Sequence, residues 1–414
     1  MAAVSPTLGI NERVQALRTE GCRIDHFGFG ESPFPVPERL ATALRENATR
    51  KSYLPVDGLP ELRAAVLAHQ ARLTGCDPER FDVIVAPGSK LLLFATQMAV
   101  PGDLLLPVPS WVSYAPQAAL LGQHVLPVRT RSDDTGFHLP AATIDESVAA
   151  ARAAGRNPTK LLINFPNNPS GLTLDDEALA EIADACRRHR LLLISDEIYG
   201  RVSYDHRYRS AAAVAPERTL VTTGLSKHLS LGGWRLGVAL VPRDVDGLHE
   251  RLRHIASETW SCVSAPVQVA AIEAYAGHAD VEAYVRDTTD VHAAVNRRVA
   301  TSLRAAGVEV AMPQGGFYTW PDFGPVLGHR FDTSTALSRA LLEEAGIATL
   351  PGAGFGEDAS RLRLRLAACD YDGAAALRAW REATDASAAQ AAHLAPGVEA
   401  ALGRLSAFIE TRAD

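Results

Sequence analysis

The sequence predicts an α/β fold: a mostly parallel, doubly wound sheet in one large domain, with a smaller α/β domain assembled from both termini. Three observations carry this expectation. Short apolar runs alternate with runs of helical spacing through the middle of the chain. The apolar runs are continuous rather than alternating, as in strands buried on both faces. A length of 414 residues is too long for one ordinary domain.

The elements follow in order. Residues 1–45 include GESPFPVPE, whose prolines suit neither a helix nor a central strand. FDVIVAPGSK reads as a strand (Val83 to Val85) that breaks at Pro87-Gly88, and SKLLLFATQMAV as the buried helix after it. KLLINFPNNPSG holds a strand, Leu161 to Asn164, stopped by a proline-rich loop. In DDEALAEIADACRRHR, Leu179, Ile182, Ala183 and Cys186 recur at helical spacing. LLLISD and RTLVTTG are further strands. Beyond residue 300, GVEVAMPQGGFYTW, a helix in TALSRALLEEAG and an alternating strand in RLRLRLAACD form a second α/β set. The expected division is a large domain of residues 46–300 and a small one of residues 1–45 plus 301–414. An Ala-rich stretch at 383–395 reads as a linker before a last helix.

Composition narrows the function. Lys plus Arg number 41 against 48 acidic residues, a formal net charge of -7, which supplies no basic patch for nucleic acid or a membrane surface. Cys22, Cys76, Cys186, Cys262 and Cys369 are scattered and odd in number, so neither a disulfide framework nor a metal site is expected. The greasiest stretch, Leu91 to Val100, is interrupted by Thr96 and Gln97 and is too short to span a bilayer. A cytoplasmic location is the simplest expectation.

Three strands end in chemically suggestive residues: Asn168 in NNPSG, Asp196 in ISDEIYG and Lys227 in TTGLSK. Open α/β sheets bind ligands beyond the carboxyl ends of their strands, so the three can share a cleft. Together they suit pyridoxal 5'-phosphate, which needs a lysine for its aldehyde and a carboxylate to keep its pyridine nitrogen protonated. Its phosphate needs donors. Arg235, eight residues after Lys227, offers a guanidinium fork, Ser226 a hydroxyl, and the amides of Ser89 and Lys90 would point from a helix N-terminus.

With GESPFPVP, SYLPVDGLPELR, VAPGSK, PSWVSY, NNPSG, SDEIYG and SKHLSLGGWRLG in this order, the chain resembles the fold-type I pyridoxal-phosphate enzymes of the class I/II aminotransferase family. The resemblance implies a Schiff base at Lys227, which also moves the substrate proton. It implies a pyridinium partner at Asp196 and donors to the ring's phenolate oxygen at Asn168 and Tyr199. Trp111 would stack on the ring, and Ser89, Lys90, Ser226 and Arg235 would form the phosphate cup. Tyr53 would reach the phosphate of a neighbouring subunit, implying a homodimer with shared sites. The substrate carboxylate would be held by a C-terminal arginine and the Gly30 backbone, with Asn168 beside it. Alternation places Arg361, Arg363 and Arg365 on one strand face, and the family's pattern of Arg, apolar, any, apolar, Ala fits Arg363.

Two departures stand out. Gly224 occupies a place where many relatives carry a phosphate-binding serine, which leaves Ser226 or Thr223 to serve. Glu258 and Trp260 fall where relatives contribute partner residues to the substrate pocket, although surface and core roles fit them equally. The implied activity is transfer of an amino group between an L-α-amino acid and a 2-oxo acid. Elimination, replacement, cyclisation and oxidation on the same cofactor stay open. A nicotinamide dehydrogenase is disfavoured because GFGESPF runs into prolines instead of a helix. A regulatory domain would need a DNA-binding module that the short N-terminus does not supply.

Overall fold

A computed structural model describes residues 5–383 and 393–412, so residues 384–392 of the expected linker lie outside the described residues. Seven strands form the main sheet: β1 (Phe81–Ala86), β2 (Asp103–Val108), β3 (Val125–Arg129), β4 (Pro158–Asn164), β5 (Leu192–Asp196), β6 (Thr219–Gly224) and β7 (Gly237–Pro242). Their order is β1-β7-β6-β5-β4-β2-β3. All but β7 run parallel; β7 is antiparallel to both β1 and β6. This strand, GVALVP, is missing from the strands read off the sequence, as are β2 and β3. Every residue of β5, β6 and β7 is buried, so these strands show no alternation between an apolar and a solvated face.

Helices cover both faces of the sheet. α1 (Pro6–Thr19) lies at the N-terminal end, and α2 (Ser89–Ala99) starts directly after β1. α3 (Asp176–His189) shows why its sequence folds locally. The Asp175 carboxylate accepts from the Ala178 amide, acidic residues fill the first turn, and basic residues fill the last. Its predicted stripe of Leu179, Ile182, Ala183 and Cys186 is the buried one. α4 (Ala279–Ala305), 27 residues long, packs against the C-terminal helices.

The smaller sheet has three strands, β8 (Tyr318–Thr319), β9 (Leu350–Pro351) and β10 (Leu364–Ala367), in the order β8-β10-β9. The N-terminal segment forms its own two-stranded sheet with the residues just before β9, Asp25–His26 pairing in parallel with Ile347–Ala348. A last helix, α5 (Pro396–Glu410), buries Leu402, Leu405, Phe408 and Ile409 against these elements. Burial of each such side chain contributes roughly 1.5–3 kcal/mol. Arg404 of α5 pairs with Asp25, and Arg298 of α4 binds Glu399 through two hydrogen bonds of 2.8 Å. The N-terminal segment and the last helix are thereby tied together.

The register of the main sheet positions the site. Asn164 lies opposite Asp196, and Asp196 opposite Thr222, so β4 and β5 end level and β6 runs two residues further. The loops leaving them carry Asn168, Tyr199 and Lys227 to one edge.

Candidate active site

A cleft of about 410 Å³ opens at that edge. It brings together Gly30, Ser89, Lys90, Trp111, Asn168, Asp196, Tyr199, Ser226, Lys227 and Arg235, ten of the residues singled out in the sequence. Tyr53 is not among them; it is 93% exposed on this chain. Glu258 is exposed, and the half-buried Trp260 donates its indole N–H to the Val85 carbonyl at 3.2 Å. Neither lines the cleft.

Asp196 sits at the closed end, fully buried. Its Oδ2 accepts from the Tyr114 hydroxyl at 2.7 Å, and its Oδ1 from the Ile198 amide and Thr222 hydroxyl. Burial pushes its carboxyl up to about 6, against these donors and Lys227. Tyr114, missed in the sequence, stands three residues after Trp111 in PSWVSY. Lys227 donates to the Gly30 carbonyl at 2.7 Å. Burial pulls its ammonium down to about 8, with the Arg365 charge adding to the shift, so a neutral amine is accessible near neutral pH.

The open end is built to hold an anion. α2 begins at Ser89, behind Gly88, whose φ of 91° is a left-handed conformation. A Cβ on Gly88 would lie 2.3 Å from Arg235 Nη2, so glycine is what lets the guanidinium approach the helix N-terminus. Ser226 lines the same cleft, whereas the Thr223 hydroxyl turns to the Glu197 carbonyl at 3.4 Å. Gly224 also has a local reason: a Cβ there would come within 2.7 Å of the Leu236 carbonyl on the neighbouring chain segment.

The arginine assignment needs correction. Arg363 does not reach the cleft; its guanidinium is paired with Asp322 and Glu357 in a separate groove. Arg365 does, at 1% exposure. Its Nη1 donates to Asn168 Oδ1 at 3.1 Å and its Nη2 to the Gly28 carbonyl at 2.7 Å, while its Nε–H has no protein acceptor. The physical reason is that Arg363, bridged to Asp322 just before β10 begins, has two acidic neighbours, Asp322 and Glu357, that take up its guanidinium. Arg365 also stacks over the ring of Tyr318, 4.6 Å from its centroid. Tyr318, likewise unrecognised in GGFYTW, lies with its hydroxyl 2.6 Å from that of Tyr199.

These residues fit pyridoxal phosphate. A buried carboxylate stands at one end of the cleft, an arginine beside a helix N-terminus at the other, and a lysine of depressed pKa between them. The Asn168 amide oxygen is occupied by Arg365, which leaves its N–H groups to donate toward a phenolate oxygen. Among the described residues no cluster of His, Cys, Asp and Glu could hold a metal ion, and no helix is long and apolar enough to cross a membrane.

Comparison with known proteins agrees with this geometry. The family model for aminotransferase class I and II matches residues 26–377, which leaves α5 outside the match. Asparagine–oxo-acid transaminase of Streptococcus mutans is 31% identical over 364 residues, covering 85% of this chain and 89% of that protein. Aspartate aminotransferase of Geobacillus stearothermophilus is 31% identical over 365 residues, with the same coverage. The solved structure of aspartate aminotransferase from Thermus thermophilus with maleate superposes with a TM-score of 0.82 at 27% identity, covering 98% of this chain and 96% of that one.

Proposed function

The chain belongs to the class I and II aminotransferase family, a pyridoxal-phosphate-dependent group, and from that premise we propose that it transaminates an acidic L-α-amino acid with a 2-oxo acid. One observation carries the choice of substrate. Four cations line the cleft: Lys90, Lys227, Arg235 and Arg365. Lys227 is needed for the cofactor aldehyde, Arg235 for the phosphate and Arg365 for the substrate's α-carboxylate. Lys90, assigned to the phosphate cup on sequence grounds, is then the cation left for a second carboxylate. It lies over the Trp111 ring, 5.3 Å from the centroid, and has no ion pair among the described residues. Several relatives are named for aspartate, which supports the same reading.

When bound, pyridoxal phosphate supplies an aldehyde that captures amines and a protonated ring that withdraws electrons. The chain supplies the rest. Asp196 would hold the pyridine nitrogen protonated, because a buried anion favours the charged form of its partner. Asn168 and Tyr199 would donate to the phenolate oxygen. Arg365 would grip the α-carboxylate and so orient the α-carbon. Lys227 would hold the aldehyde and, as a free amine, would take up and return the substrate's α-proton. Trp111 would pack on the ring face. A homodimer completes the site in this proposal, with Tyr53 reaching the partner's phosphate. The five cysteines are all free, which suits a reducing compartment such as the cytoplasm.

The test pairs single amino acids with 2-oxoglutarate and measures the oxo acid formed. L-Aspartate should be the best donor. Lys90→Ser should lower its kcat/KM by about ten- to a hundredfold while sparing L-alanine, as expected for one lost charge-assisted contact. Product formation that needs no oxo-acid acceptor, or an equal loss with both donors, would contradict the proposal.

A further inference from the structure

Tyr318 has no role in the reaction as derived so far, yet it sits at the junction of three groups that do. Its hydroxyl is 2.6 Å from that of Tyr199, and its ring carries the Arg365 guanidinium at 4.6 Å. A Cβ on Gly30 would fall 2.1 Å from the same hydroxyl, so glycine at position 30 makes the room that Tyr318 occupies. The Gly30 carbonyl in turn receives Lys227.

The Tyr199–Tyr318 contact holds one proton, and either oxygen can provide it. Two facts choose the donor. Burial pushes Tyr318 up to about 12, with Arg365 pulling it back, whereas burial and the neighbouring Tyr318 hold Tyr199 well above its usual range. The Arg365 guanidinium, lying over the Tyr318 ring, favours release of the Tyr318 proton into the contact. Second, a Tyr199 that donates to Tyr318 would have no proton for the cleft.

We propose that Tyr318 is a positioning residue: its hydroxyl donates to the Tyr199 oxygen, so that Tyr199 directs its own proton into the cleft, toward the cofactor's phenolate oxygen. Chained hydrogen bonds polarise one another, so Tyr199 becomes a better donor than an isolated tyrosine. The inference rests on the pyridoxal-phosphate reading and adds a residue to it. It also gives Arg365 a second task, since the cation that binds substrate acidifies the first donor of the relay.

The experiment is a spectral pH titration of the loaded enzyme, which follows the proton shared by the lysine-linked nitrogen and the phenolate oxygen. A weaker donor at Tyr199 leaves the ionised oxygen less stabilised and the proton held more tightly. Tyr318→Phe should therefore raise the midpoint by roughly 0.5–1 pH unit, a three- to tenfold tighter proton. In a Tyr199→Phe background the same change should have no effect, because the relay passes through Tyr199. An unchanged midpoint in the single variant, or an equal shift in both backgrounds, would overturn the proposal. If Tyr318→Phe does not fold, Gly30→Ala displaces the hydroxyl instead and should raise the midpoint likewise; no rise there also counts against it. Wild-type protein with no lysine-linked band would overturn the underlying reading, and the relay with it.

Discussion

At the scale of single residues, the chemistry is set by how few polar groups are buried and what each one faces. Asp196 is the sharpest case. Without cofactor it is a carboxylate in a closed pocket, raised from 3.8 to about 6. The native state then holds its proton more tightly than the unfolded chain, so stability falls as pH rises from about 4 to about 6. Asp196→Asn removes that cost. The cofactor-free variant should be more stable than cofactor-free wild type above pH 6, by up to about 3 kcal/mol, and the gap should vanish below pH 4. Thermal melts across that range check it; a gap that persists at pH 3.5 would point to a structural effect unrelated to charge. Asp196, Lys227 and Asn168 were legible because each stands in a short motif at a strand end. Tyr114 and Tyr318 were not, because their partners lie 82 and 119 residues away and no local pattern announces such contacts.

At the scale of elements, register decides which of several similar side chains does the work. RLRLRLAACD reads as one alternating strand, yet β10 spans only Leu364–Ala367, and two residues of register separate a salt-bridged arginine from one lining the cleft. Periodicity gives the face of a strand but not the residue at which it begins. Arg365→Ala should weaken apparent substrate binding by roughly a hundredfold for any α-amino acid and much less for amines lacking a carboxylate. Arg363→Ala should leave KM near wild type and cost at most about 1 kcal/mol of stability, because its ion pairs are partly exposed. Steady-state kinetics on both variants would separate them, and a larger KM effect at Arg363 would reverse the assignment. The other elements were clearer. Strands β1, β4, β5 and β6 and helix α3 announce themselves through short apolar and β-branched runs or 3.6-residue apolar spacing, while β2, β3 and β7 escaped, the last directly behind a glycine-rich loop.

At the scale of the whole molecule, residues from both ends of the chain close over the strand ends of the large sheet. Ser5 at the start of α1, with Thr7 and Leu8 in its first turn, lines the same cleft as Arg365. A nearly fully exposed tyrosine is the feature this single chain does not explain. In a homodimer with shared sites, Tyr53→Ala and Lys227→Ala chains each disable a site, but a mixed pair keeps one intact lysine with one intact tyrosine. Co-refolded in equal amounts, they should recover about a quarter of the wild-type rate, since half of the dimers carry one complete site. No recovery, with mixed dimers verified, would speak against sharing. The central claim is that Lys227 carries the cofactor through a reversible amino transfer, and borohydride reduction followed by peptide mapping tests it most directly. Reduction of the loaded enzyme should fix the cofactor mass on Lys227 alone, and prior incubation with L-aspartate should abolish that labelling until a 2-oxo acid is added. Label on any other residue, or labelling that no amino acid and oxo acid can switch off and on, would contradict the account.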